Sequence, residues 1–330
     1  MKRQQIASIA SAIGHALMGM SYSRTYRWNF FPQGGSADCS SYTQACFIGA
    51  GCPLVDKNGK ELWTSTYQIN AEGFDLLYPA SVKVAGREHA PESLYKSLQP
   101  GDIVLYDFGT DDRANTIDHA AFVDADGNII NERSSKTGIK VDPISFGKNN
   151  IVAVLRMRED AEIMELAEVS AENTTKLMTR RLQILLNVSP IAPQLLCDAV
   201  WGARTNAALN AYKASQGLTQ DGICTRETWE RLIAGLNVQE IEETSAPETS
   251  EAQASGNRLL LMQSPLMRGA DIATLQAKLA AAGYDVGEID GVFGRKTEAA
   301  VIALQTNAMA ITTADGIADN AVMKILGINT

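Results

Sequence analysis

The sequence predicts an α+β domain, helices first and an antiparallel sheet second, followed by two small all-α domains of three helices each. Three observations carry this. Helical patterns occupy the chain up to about Gly51. After Leu98-Gln99-Pro100-Gly101-Asp102 the pattern changes to short β-rich runs. Residues 176–330 then contain one sequence pattern twice.

The first element is an amphipathic helix in which Ile6, Ile9, Ile13, Leu17 and Met20 recur at three- and four-residue steps. Lys2 and Arg3 precede this run as in a secretory signal, but Ser8, Ser11 and His15 interrupt it, so a chain made in the cytosol without a signal peptide is expected. A second helix runs from Tyr42 to Ala50 and stops at Gly51 and Pro53, with Asp38 as its N-cap, and helical character returns from Thr64 to Glu72. The expected strands are Ile103–Phe108, Ile117–Val123, Asn128–Glu132 and Ile151–Met157, with a turn at Asp126-Gly127.

Charge marks the boundaries. The stretch 158–175 holds six acidic residues and one base, and 237–256 holds five acids and no base; together they exceed the net charge of −9 of the whole 330-residue chain. Both are expected to be extended linkers, which divides the chain into a first domain (1–157), a first repeat (176–236) and a second repeat (257–330). Within the repeats, Leu182-Gln183, Asp198 to Thr205, Ala207-Ala208-Leu209 and Asp221-Gly222-Ile223 return as Leu275-Gln276, Asp290 to Thr297, Ala299-Ala300-Val301 and Asp315-Gly316-Ile317. Ala199 and Trp201 stand where the second repeat has Gly291 and Phe293.

The excess of Asp and Glu argues against a nucleic-acid partner, which selects for clustered Lys and Arg. Three His and five Cys, with no Cys-x-x-Cys and no His-x-x-x-His, leave little material for a metal site, and no run approaches a membrane span. The odd, scattered cysteines suit a reducing compartment.

Cys39 is the candidate nucleophile, because Asp38 as N-cap places it in the first turn of a helix, where N–H groups and the macrodipole favour a thiolate. Cys46, Cys52, Cys197 and Cys224 read as core residues. Among the histidines, His15 reads as a helix-face residue and His89 as an exposed one. His119, on a strand beside Ala120 and Ala121, is the candidate base, expected to form an ion pair with Cys39. A third polar group must hold the other ring nitrogen. A two-residue turn at Asp126-Gly127 would put Glu132 on the face of His119; an odd-length loop or a bulge would put Asn131 there.

Asp38-Cys39-Ser40-Ser41 opening a helix, Gln99-Pro100-Gly101-Asp102 opening a sheet, and His119 followed twelve residues later by Asn131 resemble the NlpC-type, papain-like cysteine peptidases, and most of all the peptidoglycan hydrolases of bacteriophages. Met20-Ser21-Tyr22-Ser23-Arg24 and Arg27-Trp28 are similar to that phage group, and the two repeats resemble the three-helix peptidoglycan-binding domain. The resemblance implies a papain-like fold for residues 1–157, catalysis by Cys39, His119 and Asn131, with oxyanion or substrate contacts from Tyr22 and Ser40, and no cofactor. It implies a monomeric endolysin that acts on bacterial peptidoglycan after release from the cytoplasm. The bond cut would be the γ-D-glutamyl amide to the diamino acid or, in an alternative reading, the lactyl amide of an N-acetylmuramoyl-L-alanine amidase. A third reading is a catalytically inactive wall-binding protein. Under the linker expectation, a fragment ending near Met157 would keep its chemistry while both repeats serve only as anchors.

Overall fold

The computed structural model describes residues 2–26, 29–32, 34–79, 89–109, 117–134, 136–192, 194–238, 260, 267–308, 314, 316–318 and 320–328. Arg27, Trp28, Asp315 and residues 239–256 of the second acidic stretch lie outside them. The chain divides into two units, one of Met1–Ala90 with Leu98–Glu243 and one of Pro91–Ser97 with Thr244–Thr330.

The first unit begins with helix α1 (Arg3–Ala16), whose Ile6, Ile9 and Ile13 are buried together with Leu17 and Met20 just beyond it. At ~1.5–3 kcal/mol for each buried aliphatic side chain, this stripe secures α1 against α2 (Cys39–Ala50). Contact is close at Gly14, where an added Cβ would lie 2.7 Å from the Tyr42 hydroxyl. Before α2, two short strands, β1 (Ser21–Tyr22) and β2 (Ser36–Ala37), pair in parallel, and Tyr22 sits opposite Ala37. The Thr64–Glu72 region contains only a single-turn helix, α3 (Ser65–Gln68).

The sheet has six antiparallel strands in the order β3-β8-β4-β5-β6-β7. The four expected runs form β4 (Ile103–Tyr106), β5 (His119–Val123), β6 (Ile129–Ser134) and β8 (Ile151–Met157). The edges, β3 (Phe74–Tyr78) and β7 (Gly138–Asp142), are not expected from the sequence. An edge strand needs few buried side chains: in β7 only Ile139 is buried, so no alternation marks it. The face carrying Ile103, Leu105, Ala120, Phe122, Ile130 and Leu155 joins α1 and α2 in one core.

The acidic stretch 158–175 departs from the linker expectation. Its amide at Met164 donates to Gly51 O (2.8 Å), its carbonyl at Ala167 accepts from the Trp229 indole (2.8 Å), and Val169 exchanges two backbone bonds with Cys224. Ile163 and Leu166 pack on the core, and the acidic side chains point outward. Charge counting misses this because the apolar residues between the acids find a surface waiting for them. That surface belongs to α4 (Lys176–Val188), α5 (Ala203–Ser215) and α6 (Arg226–Ala234), the helices of the first repeat. Helix α4 lies on α2: the fully buried Arg181 donates to Met164 O (2.9 Å) and Gly49 O (3.3 Å), and Arg180 ion-pairs with Glu61 beneath the Trp63 ring. Gly51 ends α2 at φ 95°, and a Cβ there would meet the Arg181 guanidinium at 2.7 Å. The first repeat therefore shares its core with the α+β layer.

The second repeat, α7 (Ala270–Ala281), α8 (Arg295–Ala308) and α9 (Asn320–Ile325), has a separate core around Ile272, Leu275, Phe293 and Val301. Both repeats are organised by the glutamine of the Leu-Gln block. Gln276 Nε2 donates to Asp290 Oδ1, Val292 O and Thr297 Oγ1, and its Oε1 accepts from Gly291 N. Gln183 makes the same four bonds with Asp198, Val200, Thr205 and Ala199. The repeated letters are thus the parts of one hydrogen-bonded loop. Gly291 has φ 68°, and Ala199, at φ 63°, occupies the same left-handed conformation with a Cβ. Ala199→Gly is expected to stabilise the first unit by about 1 kcal/mol, read as a higher urea midpoint at unchanged slope.

Candidate active site

Asp38 caps α2 by accepting the Ser41 amide (2.8 Å), while the Ser41 hydroxyl accepts from Asp38 N (2.9 Å). Cys39 is the first helical residue, and the amides of Ser40 and of Ala120, the residue after His119 on β5, act to lower the thiol's pKa, which places the thiol near the start of β5. The Ser40 hydroxyl is turned inward onto Asp38 Oδ1 and Trp63 O, both at 3.0 Å, so its free contribution is the amide and not the side chain.

His119 Nε2 lies 2.9 Å from Asn131 Oδ1. Loop length decides this pairing. Asp124 and Asn128 close the β5–β6 hairpin around three residues, Ala125-Asp126-Gly127, with Asp124 Oδ1 accepting from Asp126 N and Asn128 N and with Gly127 at φ 80°. Phe122 then sits opposite Ile130 and Val123 opposite Ile129, so Asn131 shares the face of Ala121 and His119. Glu132 points to the other face, towards α2. The two-residue turn that would favour Glu132 is not formed, because the Asp124 carboxylate draws the loop one residue wider.

The Asn131 amide is oriented from β7: its Nδ2 donates to Asp142 Oδ2 (3.1 Å) and reaches Lys140 O at 3.4 Å. Both partners are acceptors only, so Oδ1 must face His119, and His119 must carry its proton on Nε2. Nδ1 keeps its lone pair and is the basic atom. Asp142 escapes sequence reasoning because its strand does. Around the imidazole stand Tyr106, Phe108 and Phe146, with ring centroids 5.8, 5.8 and 6.3 Å away.

Burial sets the protonation states. It lowers the His119 pKa below its ordinary value, against the hydrogen bond that the ring donates to Asn131, so the ring is neutral. Burial pushes the Cys39 thiol up to about 12; Asp38 adds to the rise, and the Ala120 and Ser40 amides oppose it. This corrects the expected ion pair: a helix N-terminus contributes ~0.3–2 kcal/mol, less than desolvation of the thiol of a residue that is only 5% exposed. At rest the thiol and the imidazole are each neutral.

Tyr22 sits near the thiol because of its pairing with Ala37, and its hydroxyl accepts from Arg24 Nε at 3.3 Å. His15 binds the buried Asp124 (3.3 Å), which raises its pKa, and His89 is exposed. Cys46, Cys52, Cys197 and Cys224 are buried free thiols with raised pKa values. Among the described residues no cluster of His, Cys, Asp and Glu suits a metal ion, and no helix is long and apolar enough to cross a membrane.

Glu132 is fully buried, neither of its oxygens has a hydrogen-bond partner among the described residues, and burial with the Asp38 charge raises its pKa to about 8. The folded chain therefore keeps a proton that the unfolded chain releases near pH 4.5. Stability contributed by this proton is present at acid pH and is lost as pH rises to about 8. Glu132→Gln is expected to remove that loss, so its gain in thermal midpoint over the wild type grows from pH 5 to pH 9.

An α+β layer with a helix-capped cysteine, a histidine and an asparagine thus precedes two helical repeats built on one loop. Residues 175–232 and 268–326, about a third of the chain, each match the family described as "Putative peptidoglycan binding domain". The chain therefore carries two peptidoglycan-binding repeats. No curated protein matches it.

Proposed function

We propose that this protein is a cysteine peptidoglycan hydrolase of the NlpC type, an endolysin in design, that cleaves the γ-D-glutamyl amide to the diamino acid of the stem peptide. The observation that carries the reading is the 2.9 Å bond from His119 Nε2 to Asn131 Oδ1, which leaves Nδ1 basic on the residue next to Ala120, whose amide acts on the Cys39 thiol. Two wall-binding repeats supply the substrate.

Nδ1 of His119 takes the thiol proton as Sγ attacks the carbonyl carbon. The oxyanion forms near the Tyr22 hydroxyl and the amides at the start of α2. Collapse of the tetrahedral intermediate breaks the C–N bond, and the amine leaves with the proton from His119. The thioester is then attacked by a water that gives its proton to Nδ1, and the acid is released with the free thiol.

Mass spectrometry of fragments released from purified peptidoglycan tests this. New amino termini on the diamino acid, absent with Cys39→Ala, are the expected result; free lactyl groups would mean an amidase. The burial of Cys39 favours one other reading, a wall-binding protein without turnover, which no release by the wild type would establish.

A further inference from the structure

Arg24 lies near Cys39, and among the described residues it makes no ion pair with a carboxylate. The parallel pairing of β1 with β2 sets Ser21 against Ser36 and Tyr22 against Ala37, and Ser23 N donates to Ala37 O, so the chain from 21 to 24 runs along the segment that enters α2. In an extended chain residues 22 and 24 share a face, and the Arg24 guanidinium indeed meets the Tyr22 hydroxyl at 3.3 Å. Its charge acts on both Cys39 and Asp38. Arg24 is exposed, and a phenol is a neutral partner, so among the described residues no carboxylate pairs with it. Arg133, another cation near the site, is different: its Nη1 is bound to Asp142 (3.1 Å) and its guanidinium lies over Phe146.

An exposed cation at the nucleophile's side that forms no carboxylate ion pair among the described residues, in a chain of net charge −9, suits an anionic group on the acyl half of the substrate. The two candidate bonds differ at this point. A γ-D-glutamyl acyl group carries its own α-carboxylate three carbons from the scissile carbonyl carbon. A lactyl acyl group is an ether of the sugar and carries none. We infer that Arg24 is a specificity residue that binds the α-carboxylate of the glutamyl residue, and so selects free D-glutamyl stems over those amidated at that carboxyl. This rests on the endopeptidase reading above.

Full-length protein should be assayed on two soluble stem peptides that are identical except for an α-carboxylate or an α-carboxamide on the γ-linked D-glutamate. The wild type is expected to cleave the carboxylate peptide roughly ten- to a hundredfold faster in kcat/KM, the range of a charge-assisted hydrogen bond. Arg24→Gln should bring the ratio near one by loss on the carboxylate peptide, largely through KM, and Arg24→Lys should restore part of it. Equal wild-type rates on the two peptides overturn the inference and leave the endopeptidase reading intact. An equal loss on both peptides in Arg24→Gln also overturns it, assigning Arg24 to the support of Tyr22. Cleavage of neither peptide, with release of lactyl groups from a muramoyl substrate, would remove the endopeptidase reading itself.

Discussion

Cys39→Ala is expected to abolish cleavage of peptidoglycan while the protein still sediments with purified walls, and His119→Ala is expected to lower the rate by ~10²- to 10⁴-fold, the usual contribution of a positioned acid–base group. Cys46→Ala and Cys52→Ala, which remove buried thiols of the hydrophobic core, should keep most of the activity; equal losses in all three cysteine variants would sink the assignment. The pH profile separates the neutral pair from an ion pair. His119 must be unprotonated to act, and burial lowers its pKa, so the acid limb of kcat/KM should lie below the ordinary histidine range. With the thiol pushed up to about 12, ultraviolet absorbance of a thiolate should be missing at pH 7 and alkylation of Cys39 should rise into the alkaline range. Asn131→Asp places a carboxylate on Nε2, which favours the imidazolium and should move the acid limb to higher pH; Asn131→Ala should lose activity without that displacement.

Removing the first repeat should be as damaging as removing the nucleophile. A chain ending at Met157 uncovers the face of α1 and α2 on which α4 lies, and it deletes Arg181, whose guanidinium bonds the carbonyl of Gly49 near the end of α2. At ~25 cal/mol per Å² of apolar surface, several hundred Å² cost several kcal/mol, against a total stability of ~5–15 kcal/mol. That fragment is expected to unfold or aggregate. A chain ending at Glu243 keeps the first unit whole and should cleave soluble stem peptides at nearly the full-length rate, with weaker retention on walls because one of two tethers is lost. Circular dichroism and a soluble-peptide assay on the two fragments decide the matter. A folded, fully active 1–157 fragment would return the first repeat to the role of a separate anchor.

The difference between these outcomes and those expected from charge alone lies in the range of the forces involved. Interactions reaching no more than 22 residues along the chain were legible: Asp38 as the cap that starts α2 at Cys39, the apolar stripe of α1, and the repeated Gln, Asp and Thr that form one loop twice. Each is decided by local geometry that the residue types carry with them. The choice between Asn131 and Glu132 turned on one residue of loop length, and that was set by His15 and Ser11 of α1 holding Asp124 and Ala125 from a hundred residues away. The protonation of Cys39 depended on how completely other elements exclude water, which a dipole argument on one helix does not contain. Asp142 and the fused first repeat follow from an edge strand and from a surface on α2 that exist only once the sheet and helices have packed. Desolvation, register and shared cores are properties of contacts distant in sequence, so tertiary structure alone could decide them.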